Sequence, residues 1–382
     1  MRRGTKGTQV SIVGVAVFET REAQEERRRR ESILSPYAGE GAVYAIGLAY
    51  PPPGVLPAGE AAICALAAGG NGEIFGATSG RRAHLFRMSK PLMVGHMATL
   101  DGVQSVAASL VIADDGRLYG AARARGGPLF ACNAGEGELG PYHNKAASVE
   151  MLLPPFEDDC AASLAVSRDG RVIAGVAEGS GRIFLMTTRK RTPRVLRGTA
   201  AANEACSRIL GAGPDNFFYG SGKDGRLYKV SPEGDVQWLS CCVPCRKGKA
   251  YLARVVSFTV ARSGLLYGGT EDGYLFSFDT STGELVSHGR ANDIPDLHSL
   301  AEGADGLIYG IVGRGRYASR LVRFHPGRGE WADLGLLRSH GHYPWTGYQV
   351  GSLTAGCGGM LCAGENDRFG HLFLYHPPSA DR

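Results

Sequence analysis

A short phrase recurs seven times along this chain, and it constrains the fold more than any other feature. The phrase is a Gly-containing turn, an apolar strand ending in an aromatic residue and Gly, a polar turn, and a strand built around Leu-Phe or Leu-Tyr. The first copy reads GNGEIFGAT over 70–78, followed by AHLFRM over 83–88. It returns as DDGRLYGAA from Asp114, RDGRVIAGV from Arg168, PDNFFYGSG from Pro214, RSGLLYGGT from Arg262, ADGLIYGIV from Ala304 and GGMLCAGEN from Gly358. Repetition at this period marks a repeat architecture, in which each unit stacks on its neighbours to bury its apolar faces. The 56 glycines show no collagen period and fit a chain of many tight turns.

Gly76, Gly120, Gly175, Gly220, Gly268, Gly310 and Gly364 serve as equivalent points, 42 to 55 residues apart. Propeller blades show such spacing with several short strands per repeat, whereas solenoid repeats are shorter and more regular. An inner strand of small residues precedes most copies, at 61–68, 105–112, 161–167, 256–261, 297–302 and 350–355. Small side chains suit the crowded centre where inner strands converge. The expected fold is all-β: one seven-bladed β-propeller of four-stranded antiparallel blades, closed by an N-terminal strand.

The chain stops soon after the third strand of its last repeat, HLFLYHPP at 371–378, so that blade lacks an outer strand. An open blade leaves an unpaired sheet edge. Two N-terminal segments qualify to fill it, QVSIVGVAVF at 9–18 and AVYAIGLAY at 42–50. Between them, residues 19–34 carry helix formers and mixed charge, and read as a surface helix or a mobile arm. Residues 1–60 are thus expected to form an N-terminal arm with the closing strand, and 61–382 the remainder of one propeller domain.

Apolar residues make up 43% and charged residues 21%, enough for a large core. The formal charge of +5 is too small over 382 residues for a nucleic-acid-binding composition. The N-terminus has a basic start and a short apolar patch, without a small-residue cleavage pattern. No apolar run approaches the ~18 residues of a membrane span. These features lean the expectation towards the cytoplasm, with no nucleic-acid or membrane partner. The nine cysteines form no disulfide framework. Cys242 and Cys245 form one CxxC beside Cys241, and a zinc site there needs a fourth ligand such as Cys206. Free thiols are the preferred reading, and no metal is expected.

The fragment GTEDGYLFSFDTSTGELV at 269–286 resembles one repeat of the quinoprotein-like propellers. The looser copies resemble bacterial seven-bladed propellers with DGxLYG-type repeats and a Kelch-like architecture, over residues 60–378. Quinoproteins carry a docking tryptophan in each blade. The three tryptophans here argue against a bound quinone, so no cofactor is expected. The architecture is also similar, by analogy, to that of β-propeller polysaccharide lyases acting on ulvan-like rhamnose–uronate polymers. These use His and Tyr with a supporting Arg, and fold alone does not fix function.

In a propeller, the loops joining strands two and three, and those joining successive blades, open on one face. The first set carries Arg81 and Arg82, Arg123 and Arg125, then Arg182. It turns mixed at Lys223 and Asp224 and acidic at Glu271 and Asp272, and returns to Arg314, Arg316, Arg320 and Arg368. Ring closure makes the late and early copies neighbours and predicts an Arg-rich sector, against the simpler reading of solvated turn charges. Two long inter-blade loops carry Tyr142 and His143, with Asn144, and His340, His342, Tyr343, Trp345 and Tyr348. Long loops in compact domains are often functional. His and Tyr suit abstraction of a proton next to a carboxylate, with an Arg neutralising that carboxylate. The leading expectation is a carbohydrate-active enzyme that cleaves a uronate-containing glycan by β-elimination. Tyr142, His143, His340, His342 and Tyr343 are its acid–base candidates. Arg81, Arg82, His84, Arg314, Arg316, Trp345 and Tyr348 are its substrate-binding candidates. The alternative is a non-catalytic propeller that holds a protein or glycan partner. His84 and His371 occupy equivalent repeat positions, which suggests a structural role for both.

Overall fold

The computed structural model of the chain describes residues 11–12, 15–16, 40–49, 54–89, 93–135, 146–196, 208–222, 224–248, 254–340 and 344–378. They form seven four-stranded antiparallel sheets arranged as the blades of a propeller. Blade 1 comprises Ala62–Ala68, Ile74–Ser79, Ala83–Ser89 and Met93–Leu100. Blades 2 to 6 span 111–151, 161–195, 211–242, 255–287 and 297–335. Blade 7 takes Val350–Ala355, Leu361–Glu365 and His371–His376, and its outer strand is Ala42–Gly47. That strand runs antiparallel to the third strand, from Ala42 opposite His376 to Gly47 opposite His371. Of the two candidate segments, 42–50 therefore closes the ring. In the other, Ser11–Ile12 pairs with Val15–Ala16 in a separate small hairpin. Residues 19–34 lie outside the described residues. No described helix is long and apolar enough to cross a membrane.

The core is not one mass but a ring of layers. Among the described residues, seven buried clusters each bridge one junction between successive blades, including the junction of blade 7 with blade 1. This explains the repeating phrase. In blades 1 to 5 the third-strand aromatics Phe86, Phe130, Phe184, Tyr228 and Phe276 face the preceding blade. Each lies directly opposite its own blade's Gly76, Gly120, Gly175, Gly220 or Gly268. A Cβ at any of these glycines would meet the aromatic side chain at 2.1–2.3 Å. The Gly is there to make room for the ring.

The last copy differs in phase. Phe373 lies opposite Ala363, and Gly364 pairs with Leu372, so the equivalent residue is Ala363 rather than Gly364. The Phe373 ring instead passes Gly347, where a Cβ would lie 2.8 Å away.

The Asp of the phrase has an equally local cause. The Tyr119, Tyr219 and Tyr309 hydroxyls donate to Asp115, Asp215 and Asp305 at 2.6, 2.7 and 2.7 Å. Asp115 and Asp305 also accept the amide N–H two residues on, each at 3.1 Å. One carboxylate thus ties the tight turn to the following strand. Burial, then the Asp partner, pushes these three phenols well above their ordinary range.

Candidate ligand-binding face

The second-to-third-strand loops and the inter-blade loops do share one face. The amides of Gly80, Arg123, Glu271 and Asn366 donate to the inter-blade carbonyls of Gln104, Ser105, Arg254 and Gln349 at 2.7–2.9 Å. At this end the inner strands of blades 1, 3, 5, 6 and 7 break register, around Cys64, Ala162, Val256, His298 and Gly351. Such bulges re-aim the side chains next to them.

Ring closure brings the late and early arginines onto adjacent loops. The blade 6 loop holds Arg314 and Arg316. Gln349 of the next loop clamps it by accepting from the Gly315 amide at 3.2 Å and donating to the Gly315 carbonyl at 3.0 Å. The Gln349 carbonyl then holds the amide of Asn366 in the blade 7 loop. The Arg368 carbonyl there accepts from Gly59 at 3.1 Å, one residue before Glu60. Arg81 and Arg82 both reach Glu60, at 3.4 and 3.3 Å. Arg314 pairs with Asp296 at 3.4 Å. The sector is therefore less basic than its arginines alone imply, because acids from the inter-blade loops meet them. Among the described residues, exposed Arg316 and Arg368 have no carboxylate partner. They lie over the rings of Tyr317 and Phe369 at 5.2 and 5.3 Å. Tyr348, whose carbonyl holds Ser319 of blade 6, is 56% exposed on the same face.

His84 is buried at the start of blade 1's third strand. Its Nε2 donates to Glu60 Oε2 at 2.8 Å, and its Nδ1 lies 3.1 Å from the Thr99 hydroxyl and 3.2 Å from His96 Nε2. The His84 hydrogen bond, with Arg82 and Arg81, holds the Glu60 carboxyl below the ordinary glutamate value despite burial. A depressed carboxyl contributes stability above its unfolded pKa and loses it as pH falls through its folded pKa. Denaturant unfolding of Glu60→Gln is expected to show a deficit at neutral pH that narrows below about pH 4. A deficit independent of pH would remove the ion cluster from the account.

His371 holds the matching position in blade 7, on the same side of the third strand as Phe373. Its Nδ1 is 2.7 Å from Glu365 Oε2, and both residues are buried. The Trp345 indole donates to the same oxygen at 2.8 Å and stacks on the His371 ring at 3.9 Å. No arginine reaches Glu365 among the described residues. Its carboxyl is pushed up by burial and by neighbouring Asp367, against the pull of His371. Both histidines are thus buried against a carboxylate.

His340 and Trp345 leave the same loop in different directions. The loop's ends, Leu337–Arg338 and Thr346–Gly347, pair as a short hairpin. Trp345 reaches Glu365 on the loop-bearing face, whereas His340 meets the closing strand. The His340 amide donates to the Val43 carbonyl at 2.8 Å, and Val43 N–H donates to His340 Nδ1 at 3.0 Å. His340 thereby covers the free edge of the closing strand. Tyr142, His143, Asn144, Lys223, His342, Tyr343 and Cys206 lie outside the described residues. The loop that carries Tyr142 and His143 is not inter-blade as expected: it joins Leu129–Asn133 to Val149–Met151, the third and fourth strands of blade 2, and so leaves from the opposite end of the blade. Cys241, Cys242 and Cys245 are free thiols, and burial raises Cys241 and Cys245 above the ordinary thiol value. Glu60, Glu365 and Asp367 carry no sequence signal of their own. The matched positions of His84 and His371 were the available pointer to them.

No family model and no curated protein matches this sequence. Solved structures do resemble its fold. Virginiamycin B lyase from Staphylococcus aureus aligns with a TM-score of 0.62 at 12% identity, over 88% of this chain and 100% of that one. Its catalytically inactive histidine-to-alanine variant, in complex with quinupristin, aligns with a TM-score of 0.62 at 11% identity, over the same 88% and 100%. The extracellular domain of a putative one-component system from B. thetaiotaomicron gives 0.57 at 15% identity, over 88% of this chain and 40% of that one. At these identities the likeness is one of fold.

Proposed function

We propose that the loop-bearing face over blades 6, 7 and 1 binds an anionic ligand, and that its class is an acidic, uronate-containing carbohydrate. The observation that carries this reading is the pair Arg316 and Arg368, exposed and, among the described residues, without a carboxylate partner, while Arg81, Arg82 and Arg314 on the same face are paired. A guanidinium presents a planar fork that matches a carboxylate. Exposed Tyr348 beside them offers an apolar ring for a sugar face. The test is calorimetry with uronate oligosaccharides against neutral ones of equal length. The Arg316→Ala/Arg368→Ala double variant is expected to weaken uronate binding at least tenfold while melting like the parent. Equal affinity for neutral sugars, or an unaffected double variant, sinks the reading and leaves a protein-binding scaffold.

A second reading adds β-elimination at this face. It is favoured by the His342–Tyr343 pair in the long loop between blades 6 and 7, and by lyases among the proteins of similar fold. A base would remove the proton next to the uronate carboxylate, an arginine would stabilise the resulting charge, and an acid would protonate the departing oxygen. New ultraviolet absorbance of an unsaturated uronate, lost in His342→Ala, is the expected signature. Quinupristin belongs in the same substrate panel. Silence across the panel with folded protein removes the enzymatic reading.

A further inference from the structure

We propose that Glu365, Asp367 and His371 form a binding site for one divalent transition-metal ion, with Zn2+ or Mn2+ as the matching probes. One ligand atom from each residue lies within 4.8 Å of the other two. The donor set, one imidazole and two carboxylates, is borderline in softness. It suits first-row divalent ions and leaves coordination positions for water or a ligand.

The comparison with blade 1 gives the independent reason. Blades 1 and 7 each bury a glutamate against a histidine at the same repeat position. In blade 1 the charge of Glu60 is met by His84, Arg81 and Arg82. In blade 7, among the described residues, Glu365 meets His371 and the Trp345 indole but no arginine, and has a second carboxylate, Asp367, beside it. A buried carboxylate next to another carboxylate lacks positive charge, and two arginines' worth of it is missing relative to the sister site. A divalent ion supplies that charge.

The geometry is suited to the ion. Ligand atoms bound at about 2.1 Å on adjacent corners of an octahedron stand about 3 Å apart. His371 Nδ1 and Glu365 Oε2, at 2.7 Å, are already close to that separation. Asp367 is held in place because its Oδ1 accepts the amides of Phe369 and Gly370, each at 2.9 Å. Gly370, at φ +60°, presses on blade 1, where a Cβ would lie 1.7 Å from the Ala61 carbonyl oxygen. The loop that carries the ligands is thus fixed by its neighbour. Trp345 roofs the site and orients both Glu365 and His371, the role outer partners play around metal ligands. Asp367, partly exposed, is the open side.

The full chain, stripped with a chelator and titrated with Zn2+ and Mn2+ by calorimetry, tests this. One ion per chain is expected to bind, and Co2+ is expected to quench the Trp345 contribution to fluorescence. Asp367→Asn should lower affinity at least tenfold. As a partly exposed loop residue it should leave the melting curve of the apo protein in place. His371→Gln should do the same if it folds, and Asp367→Asn carries the test if it does not. Cys242→Ser/Cys245→Ser should bind as the parent does. The proposal is overturned by the absence of binding, by binding indifferent to Asp367→Asn, or by binding that disappears with the two cysteines. None of these outcomes bears on the affinity for uronates, so the two proposals fail separately.

Discussion

A chain lacking residues 1–47 is expected to lose cooperative folding as a monomer. Its third strand in blade 7, His371–His376, would become an exposed edge along its whole length, since Ala42–Gly47 pairs with it residue for residue. Val43, fully buried in the layer between blades 6 and 7, would leave a hole beside Leu337 and Tyr375. His340 would lose both hydrogen bonds to Val43, and Arg323 its 2.9 Å pair with Glu40. One buried valine contributes about 2 kcal/mol and each ladder hydrogen bond about 1 kcal/mol net. The strand is thus worth on the order of 5 kcal/mol or more, comparable with the whole stability of an ordinary domain. The truncated protein should elute as oligomers and bind a dye for exposed apolar surface. A synthetic peptide of residues 40–49 added in trans should restore the monomer. A truncated monomer that melts cooperatively at the parent temperature would show that the junction of blades 7 and 1 closes the ring without the strand.

That closing strand also marks where the sequence stops being sufficient. Seven blades were legible because the phrase recurs at a countable period, and in blades 1 to 5 its second-strand Gly makes room for the aromatic opposite it. The choice between segments 9–18 and 42–50 was not legible, because both are apolar and alternating. What decides it is register with His371–His376 and the fit of Val43 into a layer that neither segment displays. The last copy was misphased by one residue for a similar reason. Gly364 and Ala363 are both small, and only the position of Phe373 tells them apart. The Arg-rich sector followed from closing the ring. Its neutralisation did not, because Glu60 and Asp296 come from inter-blade loops outside the repeated phrase and meet the arginines only in three dimensions. Trp345 and His340, five residues apart, looked like one cluster in sequence. In three dimensions Trp345 reaches Glu365 on the loop-bearing face and His340 meets the closing strand.

Gly76→Ala is expected to destabilise the protein by about 2 kcal/mol or more, although alanine is usually welcome in a strand that keeps ordinary backbone angles. The cause is steric alone. The new methyl would sit 2.1 Å from the Phe86 ring, and that ring is fully buried against Met88, Leu372 and Leu374, so it has nowhere to move. Gly70→Ala is the control, because a Cβ there meets nothing within 4 Å. Its effect should stay within about 0.5 kcal/mol. Gly310→Ala should fall between, since its added Cβ meets the flexible Leu297 side chain at 2.6 Å and its cross-strand partner is Val322 rather than an aromatic. Phe86→Leu on its own should cost stability through the volume it vacates. Combined with Gly76→Ala it should cost less than the sum, with a coupling of about 1 kcal/mol or more, because each change relieves the other. Urea unfolding of the four members of this cycle measures the coupling directly. Strict additivity would mean that the recurring Gly answers to the backbone and not to the ring, and the account of why the phrase repeats would have to be rebuilt from the turns.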